Sequence, residues 1–505
     1  MAEKKLQRAL GAAAAVVGLL LISWLFYPVV FSVKGVYLWT DILIFVLLGC
    51  LILFITYIRH KEHLLAPWRS IFRRKLALVA LIVLIVYVSI GLLDSIHFRK
   101  PLPGSNPNQA MTYSVTVLSV LDELLTPLRM HVEETYSAPF ATHAHTKKML
   151  LNAQGKLVRD YPRLRYGGAH LQNLSERGRD ILATCLKGIL SAVLVWMVIT
   201  ATLIWWIARA SRISFVRVLH QVRRGNSDVP WRIITLTILA LLLVAIPVGM
   251  LSLDYHVLGT DKVGNDVFYL SLKSIRTGLV IGTLTTLITL PFAVLLGITA
   301  GYYRGWVDDV IQYTYTTLSS IPGILLIAAA ILSIDVFIQN HPEWFETVYD
   351  HSDMRLLALC AVLGITSWTT LCRLLRGETL KLREMDYILA ATAFGVRNMR
   401  IITRHILPNV MHIVLIIVVL DFSNLVLAES VLSYIGVGVD QSTISWGNMI
   451  NNARMELARE PVVWWTLFAA FIMMFLLVLA ANLFADAVRD AFDPRLKQVM
   501  DKAGA

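Results

Sequence analysis

Arg383–Pro408, REMDYILAATAFGVRNMRIITRHILP, is a basic amphipathic segment held between two strongly apolar stretches. Tyr387, Ala390, Ala391 and Phe394 recur at i, i+3, i+4 and i+7, which places them on one face of a helix. Small Ala390 and Ala391 let another surface approach closely, and Phe394 offers a large knob. Gly395 interrupts the helix at low steric cost, a second basic helical run extends from Val396 to Arg404, and Pro408 is compatible with the start of a following membrane helix. If the flanking stretches span a membrane, the segment is an elbow of helix, turn and helix beneath the bilayer. Such an elbow either lies in the headgroup layer or receives a soluble partner. Periodicity does not separate the two; the alanine pair, the glycine bend and the proline exit favour docking.

Composition supports the membrane premise. Apolar residues fill 57% of the 505 positions and charged residues only 16%, against about one quarter charged in soluble domains. A helix needs about 20 apolar residues to cross a hydrocarbon core. Ten such stretches can be read: 9–30, 39–58, 75–93, 183–207, 232–251, 274–300, 314–334, 355–373, 410–431 and 462–484. Each is expected to be helical, because lipid offers no water to satisfy exposed backbone amides. The first resembles a signal peptide in its preceding Lys4, Lys5 and Arg8. Its apolar run is long, however, and Trp24, Phe26 and Tyr27 close it as an interfacial anchor would, so a retained span is expected.

Loop charges set the orientation. Residues 208–231 carry Arg209, Arg212, Arg217, Arg223 and Arg224 against Asp228, and residues 59–74 carry Arg59, Lys61, Arg69, Arg73 and Arg74 against Glu62. Residues 335–354 hold Asp335, Glu343, Glu346, Asp350 and Asp353 with no Lys or Arg. Basic loops stay inside, so both termini are expected in the cytoplasm. The net charge of +12 then faces anionic lipid of the inner leaflet, and a nucleic-acid partner is not indicated, because no basic soluble domain with interleaved aromatics is visible.

Cys50, Cys185, Cys360 and Cys372 fall in or at the ends of spans without a CxxC spacing and read as small packing residues. His143 and His145 form an HxH in a polar loop with no nearby carboxylate or cysteine, a chance pair and no metal site. Residues 94–182 form a long external connection. Met111–Leu128 suits a strand and a short helix, and NAQGKLVRDYPRLRYGG reads as turn and extended chain. The region is either a lid packed on the rest of the chain or a docking surface.

Within the spans, Asp421 and Asn424 lie near the middle of 410–431, where an ionisable group normally faces a bundle interior or wet cavity. Asp421 either attracts a cargo amine or pairs with a neighbouring subunit. Glu429 lies nearer the external end and is read as a structural anchor for the turn containing Gly436 and Gly438. Pro291, Pro322 and Gly323 are candidate kinks, while Trp231, Trp464 and Trp465 fit interfacial belts.

Together these residues resemble the membrane permease subunit of bacterial ATP-binding cassette importers of the dipeptide, oligopeptide and nickel group. In that family the elbow carries Glu-Ala-Ala, three residues, Gly, nine residues, Ile, any residue, Leu-Pro. Here Ala390-Ala391, Gly395 and Leu407-Pro408 match, with Leu389 at the acidic position and His405 at the Ile position; Glu384, Asp386 and Tyr387 look like the earlier acid and Asp-Tyr of the peptide branch. HVLGTDKVGNDVF (256–268, with Asn265 where Arg is usual), AGYYRGWVDD (300–309), SSIPGILL (319–326), RHILPN (404–409), ESVLSYIGVGV (429–439), SWGNMI (445–450) and NLFADAVRDAFDPRL (482–496) follow in the family's order.

The resemblance implies an all-α polytopic membrane protein of about ten transmembrane helices with a six-helix type I importer permease core. It divides the chain into N-terminal membrane helices (1–93), an external insertion (94–182), an added span with a basic connection (183–227), the core (228–496) with its coupling loop at 376–409, and a tail (497–505). It also implies partners: a homologous permease subunit, one or two kinds of ATP-binding subunit, an external substrate-binding protein and membrane lipid, in a bacterial inner membrane. No GxxxxGK[ST] occurs in the 505 residues, so this chain is expected to bind no cofactor and to be no enzyme, with ATP and Mg on the partners. Glu384, Asp386, Tyr387, Ala390, Ala391, Phe394, Gly395, Leu407 and Pro408 would contact the ATPase. An ion-coupled secondary transporter is the alternative, though it expects paired ionisable residues deep in several spans and repeated halves. A non-conducting scaffold is another.

Overall fold

The computed structural model describes residues 33–58, 62–102, 112–151, 157–211, 214–224, 230–344 and 347–492. The expected span 9–30 lies outside them. A short strand β1 (Lys34–Val36) leads into helices α1 (Trp39–Ile58), α2 (Glu62–Arg73) and α3 (Lys75–Asp94). The insertion follows with β2 (His97–Arg99), β3 (Leu118–Ser119), α4 (Val120–Leu124), α5 (Thr126–Met130), β4 (Lys148–Leu151) and β5 (Leu157–Asp160). Then come α6 (Arg177–Ser211), α7 (Phe215–Arg224), α8 (Trp231–Leu251), α9 (Val267–Tyr303), α10 (Gly305–Ser320), α11 (Gly323–Asn340) and α12 (Val348–Arg383). The elbow supplies α13 (Asp386–Ala393) and α14 (Asn398–Ile401), and the chain ends with α15 (Leu407–Ile435), α16 (Trp446–Glu456) and α17 (Trp465–Phe492).

Among the described residues nine helices are long and apolar enough to cross a membrane. Their positions follow the apolar stretches with one correction. The stretch 314–334 is not one helix: α10 ends at Ser320, Ile321 is extended (φ −84°, ψ 132°), and α11 starts afresh at Gly323. The membrane-length segment is therefore Gly323–Asn340. Pro322, which has no N–H to give a preceding turn, separates the helices.

The chain forms two compact units. One comprises Arg69–Arg276 and Ile444–Ala480; the other comprises Thr277–Thr443 with the described parts of Ala9–Trp68 and Ala481–Ala505. In the first, α6 and α8 pack closely enough that a Cβ on Gly188 would lie 2.6 Å from the Pro247 backbone, and the Trp196 indole donates to the Thr235 carbonyl at 2.8 Å. The insertion pairs β2 with β3 and β4 with β5, both antiparallel. Ser119 caps α4 by accepting from the Asp122 amide while the Asp122 carboxylate accepts from the Ser119 amide, a reciprocal arrangement that satisfies donors left free at a helix start. Trp465 is buried rather than interfacial: it is 1% exposed, and its indole donates to the Thr260 carbonyl at 2.9 Å. Trp464 is half-exposed.

In the second unit α9 and α12 touch through small residues. A Cβ on Gly301 would lie 2.6 Å from the Thr379 Cβ, and one on Gly297 2.8 Å from the Cys372 carbonyl oxygen. Close backbone approach of this kind maximises dispersion contact where lipid removes the hydrophobic drive between helices. Cys360 and Cys372 are buried in such contacts, and the four cysteines are unpaired. His143 and His145 belong to no metal cluster among the described residues.

Candidate functional site

The elbow begins where α12 ends. Met385 takes an extended conformation (φ −74°, ψ 140°) and turns the chain into α13. Ile388 is 1% exposed and anchors this helix in a core with Leu371 and Leu375 of α12, Ile311 and Tyr315 of α10, and Ile401 and Ile406 beyond the bend. The opposite face is bare: Tyr387 and Ala390 are exposed, Ala391 is half-buried, and Phe394 keeps 88% of its surface. Met385, Leu389 and Met399 are exposed beside them. One apolar side of the elbow thus holds it to its own unit while a second apolar side is uncovered among the described residues.

Gly395 supplies the bend. At φ +73° it is left-handed, the Gly395 amide donates to the Thr392 carbonyl at 3.0 Å and the Val396 amide to the Ala391 carbonyl at 3.1 Å. These two bonds satisfy carbonyls at the end of α13, and half-buried Val396 and Ala391 share the core beneath them. After α14 the chain makes a wide π-helical turn over Ile402–Ile406 and runs directly into α15. Pro408 stands in the first turn of α15, as its place ahead of the apolar stretch suggests, where a missing N–H is tolerated. The Asn409 side-chain amide donates to the His405 carbonyl at 2.7 Å and to the Tyr387 hydroxyl at 3.2 Å. Leu407 is half-buried and Pro408 exposed.

Glu384 and Asp386 differ. Glu384 accepts from Arg304 at 2.5 Å within the chain. Asp386 is exposed and makes no ion pair among the described residues. Sequence reading missed a second set of contacts here. Arg376 makes a two-pronged pair with Asp308, Nε–Oδ1 2.5 Å and Nη2–Oδ2 2.7 Å; Arg373 stacks 5.2 Å from the Tyr315 ring centre; and the Tyr302 hydroxyl donates to Asn398 at 3.1 Å. The sequence shows the charges, Asp308 in AGYYRGWVDD and arginines at 373 and 376 one helical turn apart, but not that they meet.

In α15, Asp421 is half-buried and Asn424 exposed, three residues apart on one face, and neither makes a hydrogen bond or ion pair among the described residues. Glu429 is 1% exposed and accepts from the Ser433 hydroxyl at 2.8 Å. Gly436 ends α15 at φ +89°, and Gly438 packs so closely on Ser433 that a Cβ would lie 2.5 Å from its Cα. The elbow and the Asp421–Asn424 face are thus distinct features of one unit, joined by the length of α15.

Residues 293–498 match the family described as binding-protein-dependent transport system inner membrane component. The chain is 33% identical over 242 residues to a dipeptide transport system permease protein of Alkalihalophilus pseudofirmus, covering 48% of this chain and 73% of that one. It is 32% identical over 242 residues to a glutathione transport system permease protein of Pectobacterium atrosepticum, with the same coverage. To an oligopeptide transport system permease protein of Mycobacterium bovis it is 31% identical over 239 residues, 47% of this chain and 76% of the relative. The aligned length corresponds to less than half of this chain.

Proposed function

Because this chain belongs to the family of binding-protein-dependent transport system inner membrane components, the permease subunits of ATP-binding cassette importers, we propose that it forms half of a peptide-conducting pathway and takes its driving force through the elbow. It is a multi-pass membrane transport component that works with ATPase and substrate-binding partners. The cargo class is inferred from the dipeptide, glutathione and oligopeptide permeases it resembles. ATP and Mg bind the partner ATPase, and hydrolysis occurs there. Both termini lie in the cytoplasm, as the basic connections require.

The observation that carries this reading is the elbow's bare apolar face. Phe394, Met399, Leu389 and Tyr387 are exposed on a scaffold fixed from behind by Ile388, Ile401 and Ile406. A large aromatic knob among small residues on a braced helix is the anchor type that dominates interface energetics. Nucleotide can drive transport only if the membrane states contact the ATPase differently, and a knob held rigidly by α12 and α15 passes displacement to both.

The exposed Asn424 and half-buried Asp421 support a pathway or permease–permease face on α15. Polar groups at that depth are costly in lipid and mark wet cavities or subunit contacts. A distinct homologous permease would supply the facing half. Glu429, Gly436 and Gly438 shape the end of α15 and touch no cargo in this reading.

Tagged wild-type chain should carry its ATPase through purification and support uptake of radiolabelled trialanine in vesicles, whereas Phe394→Asp should lose both. Equal ATPase capture by Phe394→Asp would sink the assignment of the elbow.

A further inference from the structure

The elbow is not the only part of its platform. Helix α10, which precedes the broken stretch at Ile321–Pro322, lies in the same buried core through Ile311 and Tyr315. It is stitched to the end of α12 along its length. Arg304, just ahead of α10, bonds Glu384; Asp308, in its first turn, takes both prongs of Arg376; Tyr315, a further two turns on, lies beneath Arg373. The Arg376–Asp308 pair is the strongest rung: it is bidentate, its side chains are 23% and 13% exposed, and such fork geometry fixes orientation as well as distance.

Beyond α10 the backbone ladder stops. Ile321 makes the last bond back into α10, to Leu318 at 3.4 Å, and the first bonds of α11 run to the Pro322 carbonyl at 3.0 and 3.1 Å. Two residues, Ile321 (φ −84°, ψ 132°) and Pro322 (φ −56°, ψ 116°), therefore link the two helices. Gly323 has no atom within 4 Å of where a Cβ would stand, so the joint is not wedged by neighbours. At its other end α11 is tied to α12 through Asp335 and Arg355, 3.2 Å apart, and Arg355 also reaches Asp440 at 3.4 Å. α11 is thus held by ions at one end and hinged at the other to a helix bolted to the elbow platform.

We propose that Asp308 and Arg376 are positioning residues for transport: their pair makes α10 part of the coupling body, so that a push on the elbow is delivered to the foot of span α11 through the Ile321–Pro322 joint. The inference rests on the elbow receiving an ATPase. Without the rung, α10 keeps its apolar contacts, the Arg373–Tyr315 stacking and the edge pair Arg304–Glu384, whose side chains are 44% and 68% exposed, a setting in which solvent screens most of an ion pair. The elbow would then still engage its ATPase, but α11 would not follow.

The test uses the whole complex, purified through this chain, with Cys50 and Cys185 replaced by serine and spin labels placed at exposed Leu325 of α11 and exposed Leu53 of α1. In the parent complex, trapping with ATP and vanadate should shift the distance between the labels. Asp308→Asn, which keeps the side chain's shape, and Asp308→Arg should abolish the shift while capturing as much ATPase as the parent. The exchanged pair Asp308→Arg with Arg376→Asp should restore it. A full shift in both single variants, no shift in the parent, loss of ATPase from the Asn variant, or no recovery in the exchanged pair overturns the proposal. Failure of the elbow reading shows separately, as ATPase retained by Phe394→Asp.

Discussion

The loop between α8 and α9 and the elbow between α12 and α15 are made from the same parts: a short polar segment with a left-handed glycine, set between two long apolar helices. In the α8–α9 loop Leu253 and Val263 are exposed, but the central polar groups are covered. His256 is 3% exposed and bonds Asp266 at 2.7 Å and Glu133 at 3.4 Å, and Glu133 in turn accepts the amides of Arg165, Tyr166 and Gly167 at 2.8–3.1 Å. The Ser137 amide donates to the Thr260 hydroxyl at 2.7 Å, which in turn donates to the Thr135 carbonyl at 2.9 Å. The elbow instead ends in an aromatic ring that is 88% exposed. The difference is one of completion: the insertion supplies the complement of the first loop within the chain, whereas the second is left uncovered among the described residues, and in the proposed function an ATPase supplies its complement.

The comparison breaks most sharply at Gly264. Its φ is +88°, and a Cβ there would stand 1.8 Å from the Glu133 carbonyl oxygen, an overlap no rotamer relieves because the obstacle is backbone. Gly264→Ala should destabilise this unit by about 4 kcal/mol or more, the range reserved for lost backbone fit in a closed core. Thermal unfolding of the purified chain measures it, and unchanged melting would show that the insertion does not clamp the loop.

The buried ions predict a pH dependence next in size. Burial lowers the His256 pKa, but bonds to Asp266 and Glu133 raise it further, so it is pushed up to about 9 from 6.5. Burial raises the Glu133 pKa, but the His256 bond and three backbone amides outweigh it and bring it down to about 2 from 4.5. The histidine contribution is therefore complete below pH 6.5 and fades as pH rises through 9, while that of Glu133 is complete above pH 4.5 and fades as pH falls toward 2. Raising pH from 6.5 to beyond 9 should cost on the order of 3 kcal/mol. Melting curves of the wild type should show this loss and those of His256→Gln should lack it; parallel curves would remove the ion cluster from the clamp.

At the elbow the expected effect moves from folding to association. Phe394→Ala removes no intramolecular packing, so its effect on melting should stay within about 0.5 kcal/mol. Its effect on ATPase affinity should be about 2–3 kcal/mol, roughly 30- to 150-fold, as for a buried aromatic anchor. Titration of the purified ATPase onto the chain reads the second number. A large stability loss with unchanged affinity would make Phe394 an ordinary core residue.

How much of this contrast could be read beforehand depends on the range of the interactions. The elbow's periodicity is local, and Tyr387, Ala390 and Phe394 are exposed on one face, whereas Ala391 is half-buried against the core. The apolar stretches likewise located the spans, since length and hydropathy are properties of neighbouring residues. The clamp was not legible, because Glu133 and His256 are 123 positions apart; nor was the Arg376–Asp308 pair, 68 positions apart. The 314–334 stretch failed for a different reason. Its first seven residues, TYTTLSS, are mostly polar and belong to α10, and Pro322 marks the break before the apolar run of α11. Trp465 was placed at an interface by its residue type, while its position beside Thr260 and Gly259 was fixed by packing that its type does not encode.

The smallest effect isolates what the two glycines share. Gly395 has nearly the φ of Gly264, +73° against +88°, but nothing lies within 4 Å of where its Cβ would stand. Gly395→Ala therefore carries only the intrinsic cost of a left-handed residue, about 1–2 kcal/mol, and Gly395→Asn less, since asparagine visits that region more readily. Melting should fall slightly for alanine and scarcely for asparagine. Uptake should follow the same order if the bend alone is needed, because both side chains point into open space. A loss of ATPase capture in Gly395→Asn at unchanged melting would mean instead that the partner's surface approaches the elbow where glycine now leaves room, which would extend the bare face from Phe394 across the bend.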